Sequence, residues 1–167
     1  MPNESYRLGI ITASDKGFRG EREDRSGQVI REIAEAKGYT VASYRLLPDE
    51  QTILEQEMKR LCDEQQVDLV LTTGGTGFSP RDCMPEATLA VAERPVPGIP
   101  EALRQYSMAI TKRAMLSRAS AGIRGKTLII NLPGSPKAVQ EHLEYLIDEL
   151  GHGLGILTGR DAECGRR

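Results

Sequence analysis

Residues 72–82, Thr-Thr-Gly-Gly-Thr-Gly-Phe-Ser-Pro-Arg-Asp, set three glycines within four positions and a carboxylate five residues past the last of them. Without Cβ atoms in the way, the N–H groups of Gly74, Gly75, Thr76 and Gly77 can converge on a single oxyanion, with Thr73 at the loop's entrance. Asp82 then adds a negative charge beside the place where phosphate oxygens would sit, which is unfavourable unless a divalent cation lies between them. The chemistry this implies is magnesium-dependent handling of a phosphorylated ligand. The other reading of the glycines alone is a tight turn between strand and helix.

Two better-known phosphate patterns do not fit. The dinucleotide fingerprint needs a third glycine where Pro80 stands. Gly125-Lys126-Thr127 imitates the end of a P-loop, but Ser120 replaces the first glycine and the segment runs into a strand instead of opening a helix.

Further candidates stand at other strand ends. Ser14, Asp15 and Asp24 lie in a polar stretch after the apolar run Tyr6–Thr12, and Asp49 follows Pro48 at the end of Tyr39–Leu47. Each has an ordinary alternative: an Asx turn at Asp15, a solvated loop at Asp24, and at Asp49 an N-cap for a helix starting at Glu50. Pro133, Gly134 and Ser135 follow the run Thr127–Leu132 and precede a helix whose first N–H groups can hold an anion, with Lys137 in its first turn. Arg81 and Lys137 are candidate phosphate partners that also read as solvated surface.

The elements that must position these residues alternate. β-branched runs at 6–12, 39–47, 67–73 and 127–132 are separated by helical patterns: 26–37 with Ser26 as N-cap, 50–65, 85–93 opened by Pro85, 101–109, and a last one with its apolar stripe ending at Leu150. The fold class this predicts is α/β, a three-layer α/β/α arrangement with a mostly parallel sheet. Loops that follow parallel strands collect along one rim, so carboxylates and phosphate-binding turns far apart in sequence can meet there.

The 167 residues predict one domain, with a polar C-terminal tail from about residue 158. The 22 basic and 24 acidic side chains nearly cancel, so no field draws the chain to nucleic acid or to an anionic membrane. Cys62, Cys83 and Cys164 show no Cys-x-x-Cys spacing, which argues against structural zinc and a disulfide framework. The N-terminal residues lack a leader pattern and no run reaches spanning length; a reducing cytoplasm is the expected compartment.

Taken in order, Leu47-Pro48-Asp49-Glu50, the 73–82 loop, Pro85-Glu86-Ala87-Thr88, Met115-Leu116-Ser117-Arg118, Ala121-Gly122-Ile123-Arg124-Gly125 and Asn131-Leu132-Pro133-Gly134-Ser135-Pro136 closely resemble the molybdenum-cofactor biosynthesis family. The nearest branch is that of the Mog-type molybdopterin adenylyltransferases, which includes the G domain of gephyrin. The resemblance covers about Arg7 to Leu150 and implies a molybdopterin-binding fold, usually trimeric, that transfers AMP from ATP to the terminal phosphate of molybdopterin with Mg2+ and releases pyrophosphate. A downstream metal-insertion enzyme is an implied partner. Asp49 and Asp82 match the family's two essential acidic positions. Ser14, Asp15, Asp24, Ser117, Arg118, Pro133, Gly134 and Ser135 match ligand-pocket positions. Rival readings are a MoaB-like member that binds or carries the pterin without catalysis, and a scaffold domain. Met84 departs from the family, which commonly has Thr there; the expectation is a lost N-cap hydroxyl, so that Met84→Thr would stabilise by roughly 0.5–1 kcal/mol.

Overall fold

A computed structural model describes residues 4–161. Six strands form one sheet: β1 (Arg7–Ala13), β2 (Thr40–Leu47), β3 (Leu69–Thr73), β4 (Arg94–Pro95), β5 (Ala121–Arg124) and β6 (Thr127–Leu132), in the order β2-β1-β3-β6-β5-β4. The pairs β1/β2, β1/β3 and β3/β6 are parallel, and β5/β6 and β4/β5 are antiparallel. The helices are α1 (Asp15–Phe18), α2 (Arg25–Ala36), α3 (Gln51–Lys59, prolonged by a π-helical turn, Arg60–Glu64), α4 (Met84–Val91), α5 (Gly98–Met108) and α6 (Pro136–Thr158).

Side chains alternate across a strand, and here they divide into two cores. Leu8 and Ile10, Leu69 and Leu71, and Leu128, Ile130 and Leu132 pack with residues of α2, α5 and α6. The intervening Ile11, Val70 and Ile129 pack with Leu54, Met58, Met84, Ala87 and Val91 from α3 and α4. Strands buried on both faces read as continuous apolar runs, which is why β1, β3 and β6 were legible. The result is the three-layer α/β/α arrangement with a mostly parallel sheet.

Several expected boundaries move for identifiable reasons. The second helix begins at Arg25 and is capped by Asp24, whose Oδ1 accepts the Gly27 N–H at 3.0 Å; Ser26, the expected cap, instead donates to the Gly134 carbonyl at 2.6 Å. Asp49 caps nothing: α3 has Glu50 at its N-cap position, with no side-chain cap bond. Pro97 and Pro100 do not delay α5, because proline is tolerated where helix N–H groups have no partner anyway, and the helix starts at Gly98. The tract after Leu150 stays helical to Thr158 and stops at Gly159, whose φ is 78°. Arg160, expected to belong to a loose tail, stacks over the Tyr6 ring at 4.5 Å; the rest of that tail, from residue 162, lies outside the described residues. The antiparallel edge, β4 and β5, was not anticipated. Gly125, with φ 58°, and Lys126 form the two-residue turn between β5 and β6, so the apparent P-loop ending is a hairpin.

Met84 is the clearest correction. Cys83 occupies the N-cap position of α4, Met84 is its first residue and Pro85 the second. The Met84 side chain is fully buried in the core beneath α3 and α4. A threonine there would leave a cavity and bury a hydroxyl rather than cap a helix. Met84→Thr is therefore expected to destabilise by about 2 kcal/mol, read as a lower urea midpoint at unchanged slope. A raised midpoint would restore the capping account.

Candidate active site

The carboxyl ends of β1, β2, β3 and β6 share one rim, and a cleft of about 840 Å³ opens there. Ser14, Asp24, Asp49, Thr73, Gly74, Gly75, Asp82, Gly134 and Ser135 all line it. The segments that follow four strands thus meet because parallel strands send their following loops to the same side.

The glycine loop is held in a form that only glycine adopts easily. Gly74 and Gly75 have φ of 88° and 71°. A Cβ on Gly75 would lie 3.3 Å from Asp49 Oδ1, and one on Gly77 would lie 2.9 Å from Asp82 Oδ2. The two carboxylates therefore approach the loop where side chains are missing. Among the described residues, the N–H groups of Gly74, Gly75, Thr76 and Gly77 donate to no protein acceptor. Gly74 and Gly75 line the cleft, so their free donors lie beside two carboxylates and can hold an anion there, while Thr76 and Gly77 border a second cavity.

Asp49 and Asp15 are interlocked. The Asp15 N–H donates to Asp49 Oδ2 and the Asp49 N–H donates to Asp15 Oδ1, each at 3.0 Å. Arg81 Nε and Nη2 donate to the two oxygens of Asp15, both at 3.0 Å, and hold its carboxyl below the usual range. Burial pushes the Asp49 carboxyl up, and the charges of Asp15 and Asp82 push it the same way, against the Asp15 N–H and Arg81. Asp49 is thus a carboxylate short of positive charge, a deficit that a bound cation would remove. Among the described residues no group of three or more His, Cys, Asp or Glu side chains forms a complete metal cage. Two carboxylates supplemented by ligand phosphates are, however, the donor set that magnesium takes, so Asp49 and Asp82 fit that ion.

Other predicted residues lie elsewhere. Arg81 sits at the rim, 55% exposed and committed to Asp15. Lys137 is 86% exposed, faces Glu141 at 4.0 Å and does not line the cleft. Asp24 lines the cleft while capping α2 and accepting a hydrogen bond from the Tyr44 hydroxyl. Ser14 and Ser135 likewise combine lining with capping, accepting the N–H groups of Gly17 at 3.0 Å and Ala138 at 3.2 Å. Thr76, Gly77, Ser117 and Pro133 line a second cavity of about 320 Å³ on the other side of the loop. Arg118 lines neither; its guanidinium is bonded to loop carbonyls.

Several cleft residues escaped the sequence reading, among them Thr12, Arg22, Arg25 and Glu23, which pairs with Arg25 at 3.4 Å. Arg22 and Arg25 are cleft-lining cations. Thr12 also faces the cleft; its hydroxyl is buried and without a protein partner among the described residues. The position of Arg22 and Arg25 in the loop after β1 was the available signal. Thr12 gave none, since a threonine closing a buried strand looks like any other.

The second cavity is bordered by His142, whose Nε2 lies 2.6 Å from the Ser107 hydroxyl. Burial depresses the His142 pKa to about 4, from an ordinary 6.5. An unfolded histidine binds its proton in the interval where the folded one stays neutral. This contribution to stability is therefore full above about 6.5 and is lost as pH falls toward 4. Urea midpoints measured across this interval should fall with pH, and His142→Asn should flatten the decline by up to ~1.4 kcal/mol per pH unit. An unchanged slope in the variant would refute the assignment.

The chain is similar to known proteins over most of its length. The family model described as "Probable molybdopterin binding domain" matches residues 9–152. The chain is 40% identical over 158 residues to a molybdopterin adenylyltransferase of Helicobacter pylori strain J99, covering 93% of this chain and 90% of that one. With the molybdopterin adenylyltransferase of Escherichia coli K12 the identity is 43% over 156 residues, covering 90% and 80%. The crystal structure of the molybdopterin biosynthesis enzyme MoaB from Thermus thermophilus superposes with a TM-score of 0.87 at 47% identity, covering 92% of this chain and 97% of that one. With a matched family model spanning most of its length, relatives of this identity and the shared three-layer fold, the chain belongs to the molybdopterin-binding domain family of molybdenum cofactor biosynthesis.

Proposed function

We propose that this chain is a molybdopterin adenylyltransferase: a terminal phosphate oxygen of molybdopterin attacks the α-phosphorus of ATP, the bond from that phosphorus to the bridging oxygen breaks, and pyrophosphate leaves. Relatives of that name at 40–44% identity support the activity. The observation that carries it is the glycine loop at the cleft, where the free N–H groups of Gly74 and Gly75 stand with Asp49 and Asp82 in the same lining. Such a reaction between two anions needs charge neutralisation and in-line positioning, not a covalent nucleophile.

In this reading Asp49 and Asp82 hold Mg2+, which when bound neutralises charge between the reacting phosphates. The Gly74 and Gly75 N–H groups stabilise the charge that develops on the α-phosphate of the transferred adenylyl group. Arg81 acts through Asp15, fixing the carboxylate interlocked with Asp49, rather than on pyrophosphate. Arg22 and Arg25 are better placed for the leaving group, since they line the cleft and Lys137 does not. Thr12, Ser14, Asp24, Gly134 and Ser135 complete the substrate wall, and Ser117 and Pro133 the smaller cavity beyond the loop.

The reading treats residues 1–167 as one molybdopterin-binding unit that acts in the cytoplasm as a homotrimer and hands its product to a metal-inserting enzyme. No helix among the described residues is long and apolar enough to cross a membrane. Exposed Met108, Ile110, Met115 and Leu116 offer an apolar face for a neighbouring subunit. Incubating the protein with ATP, Mg2+ and molybdopterin should yield adenylylated pterin and pyrophosphate by mass spectrometry. Pterin binding without that product would instead support a non-catalytic carrier.

A further inference from the structure

We infer that Arg118 is a positioning residue for the transfer step, holding the glycine loop and Asp82 from behind without touching substrate; the kinetic part of this inference rests on the function proposed above. Arg118 Nε donates to the Gly77 carbonyl at 2.8 Å and Nη2 to the Asp82 carbonyl at 2.9 Å. Its backbone N–H donates to the Thr76 carbonyl at 2.9 Å, and Nη1 pairs with Glu86 of α4, 3.0 Å from Oε2. One residue thus fastens both ends of the segment Thr76–Asp82. The strap is itself anchored, because Arg104 of α5 donates to the flanking carbonyls of Ser117 and Ala119 at 3.2 and 2.8 Å.

The direction of these bonds matters. In a trans peptide the C=O and N–H point opposite ways. Fixing the Thr76, Gly77 and Asp82 carbonyls on Arg118 therefore turns the N–H groups of Gly77, Phe78 and Cys83 away from it. Gly77 carries one of the loop's free N–H groups, next in line after those of Gly74 and Gly75 at the cleft. All three guanidinium nitrogens of Arg118 are engaged by protein acceptors, and the side chain lines neither cavity. A charge so committed is a poor phosphate ligand. Three acceptors in fixed directions suit a planar fork, and a lysine ammonium cannot span them.

The test compares Arg118→Ala, Arg118→Lys and Glu86→Gln with the wild type in two independent measurements. Amide hydrogen exchange in ligand-free protein follows Asp82, whose N–H bonds the Ser79 carbonyl inside the strapped segment, and Met84, whose N–H bonds the Gly75 carbonyl just outside it. Exchange there is expected to accelerate about tenfold in Arg118→Ala and Arg118→Lys, and less in Glu86→Gln, while the strands stay protected. In steady-state assays kcat should fall about tenfold with KM for ATP changed less than about threefold. Combined with Asp82→Asn, Arg118→Ala should cost less than about a further twofold, because both act through the same group. Unchanged exchange in the free protein, or a rise in KM that Arg118→Lys largely reverses, would mark a substrate contact and overturn the inference. Should Arg118→Ala fail to fold, Glu86→Gln carries the same comparison. A wild-type protein that makes no adenylylated pterin would defeat the proposed function alone, since the exchange result decides the positioning role by itself.

Discussion

Asp82→Asn is expected to lower the rate of AMP transfer at least ~100-fold, about 2.7 kcal/mol of barrier, while the fold and the affinity for pterin stay near wild type. The separation of effects follows from what the carboxylate touches. Asp82 Oδ2 accepts the Ser79 N–H at 3.0 Å, and an asparagine carbonyl can accept the same bond, so the turn closing the loop survives. What disappears is the negative charge beside the glycine loop and, in the function proposed above, one of the two carboxylates that would hold Mg2+. Asp82 has no partner in the reciprocal pair that Asp15 makes with Asp49, so its replacement leaves that pair undisturbed. Single-turnover transfer with saturating ATP, alongside a urea melt and a pterin titration, measures all three quantities. Near-normal transfer would remove Asp82 from the chemistry, and a collapsed midpoint would make its role structural.

Gly74→Ala is expected to act on the opposite quantity, destabilising the protein by at least ~3 kcal/mol before any question of activity arises. Its φ of 88° belongs to a region that L side chains enter at a cost. A Cβ there would also stand 2.3 Å from the Ala13 carbonyl oxygen. That oxygen has little room to retreat, because Ala13 closes β1, is paired with Leu47 of β2 and directly follows the last residue paired with β3, Thr12. Gly77→Ala is the informative contrast. Gly77 has no left-handed φ, and its Cβ would meet only Asp82 Oδ2, at 2.9 Å. It should therefore keep the fold and lose transfer by displacing the carboxylate. Equal urea midpoints for the two variants would contradict the steric account.

The features readable beforehand were those with a local cause. Buried strands announce themselves as apolar runs, and this is how β1, β3 and β6 were found. The glycine loop was legible because three absent side chains in four positions have few uses beyond a turn or a cradle. Asp49 was readable as a residue at a strand end, yet its local alternative, a helix cap, was equally sound in sequence terms. The structure removes the cap, since Glu50 holds the N-cap position of α3 and Asp49 Oδ2 accepts instead from the Asp15 N–H, 34 residues away. Met84 shows the reverse case: the local rule for N-caps suggested a vacancy, and packing against α3 turned the position into core.

Periodicity and backbone freedom are properties of neighbouring residues, so the order of amino acids alone specifies the alternation of strands and helices, the rim on which their loops meet, and the glycines and aspartates that make phosphate chemistry possible. The employment of the arginines is settled only by folding: Arg81 is bound to Asp15, 66 residues distant, and Arg118 to Gly77, 41 distant, whereas Arg22 and Arg25 face the cleft. A long cation on a mobile stem takes whichever acceptors the fold brings within reach, and its own sequence neighbourhood does not encode them.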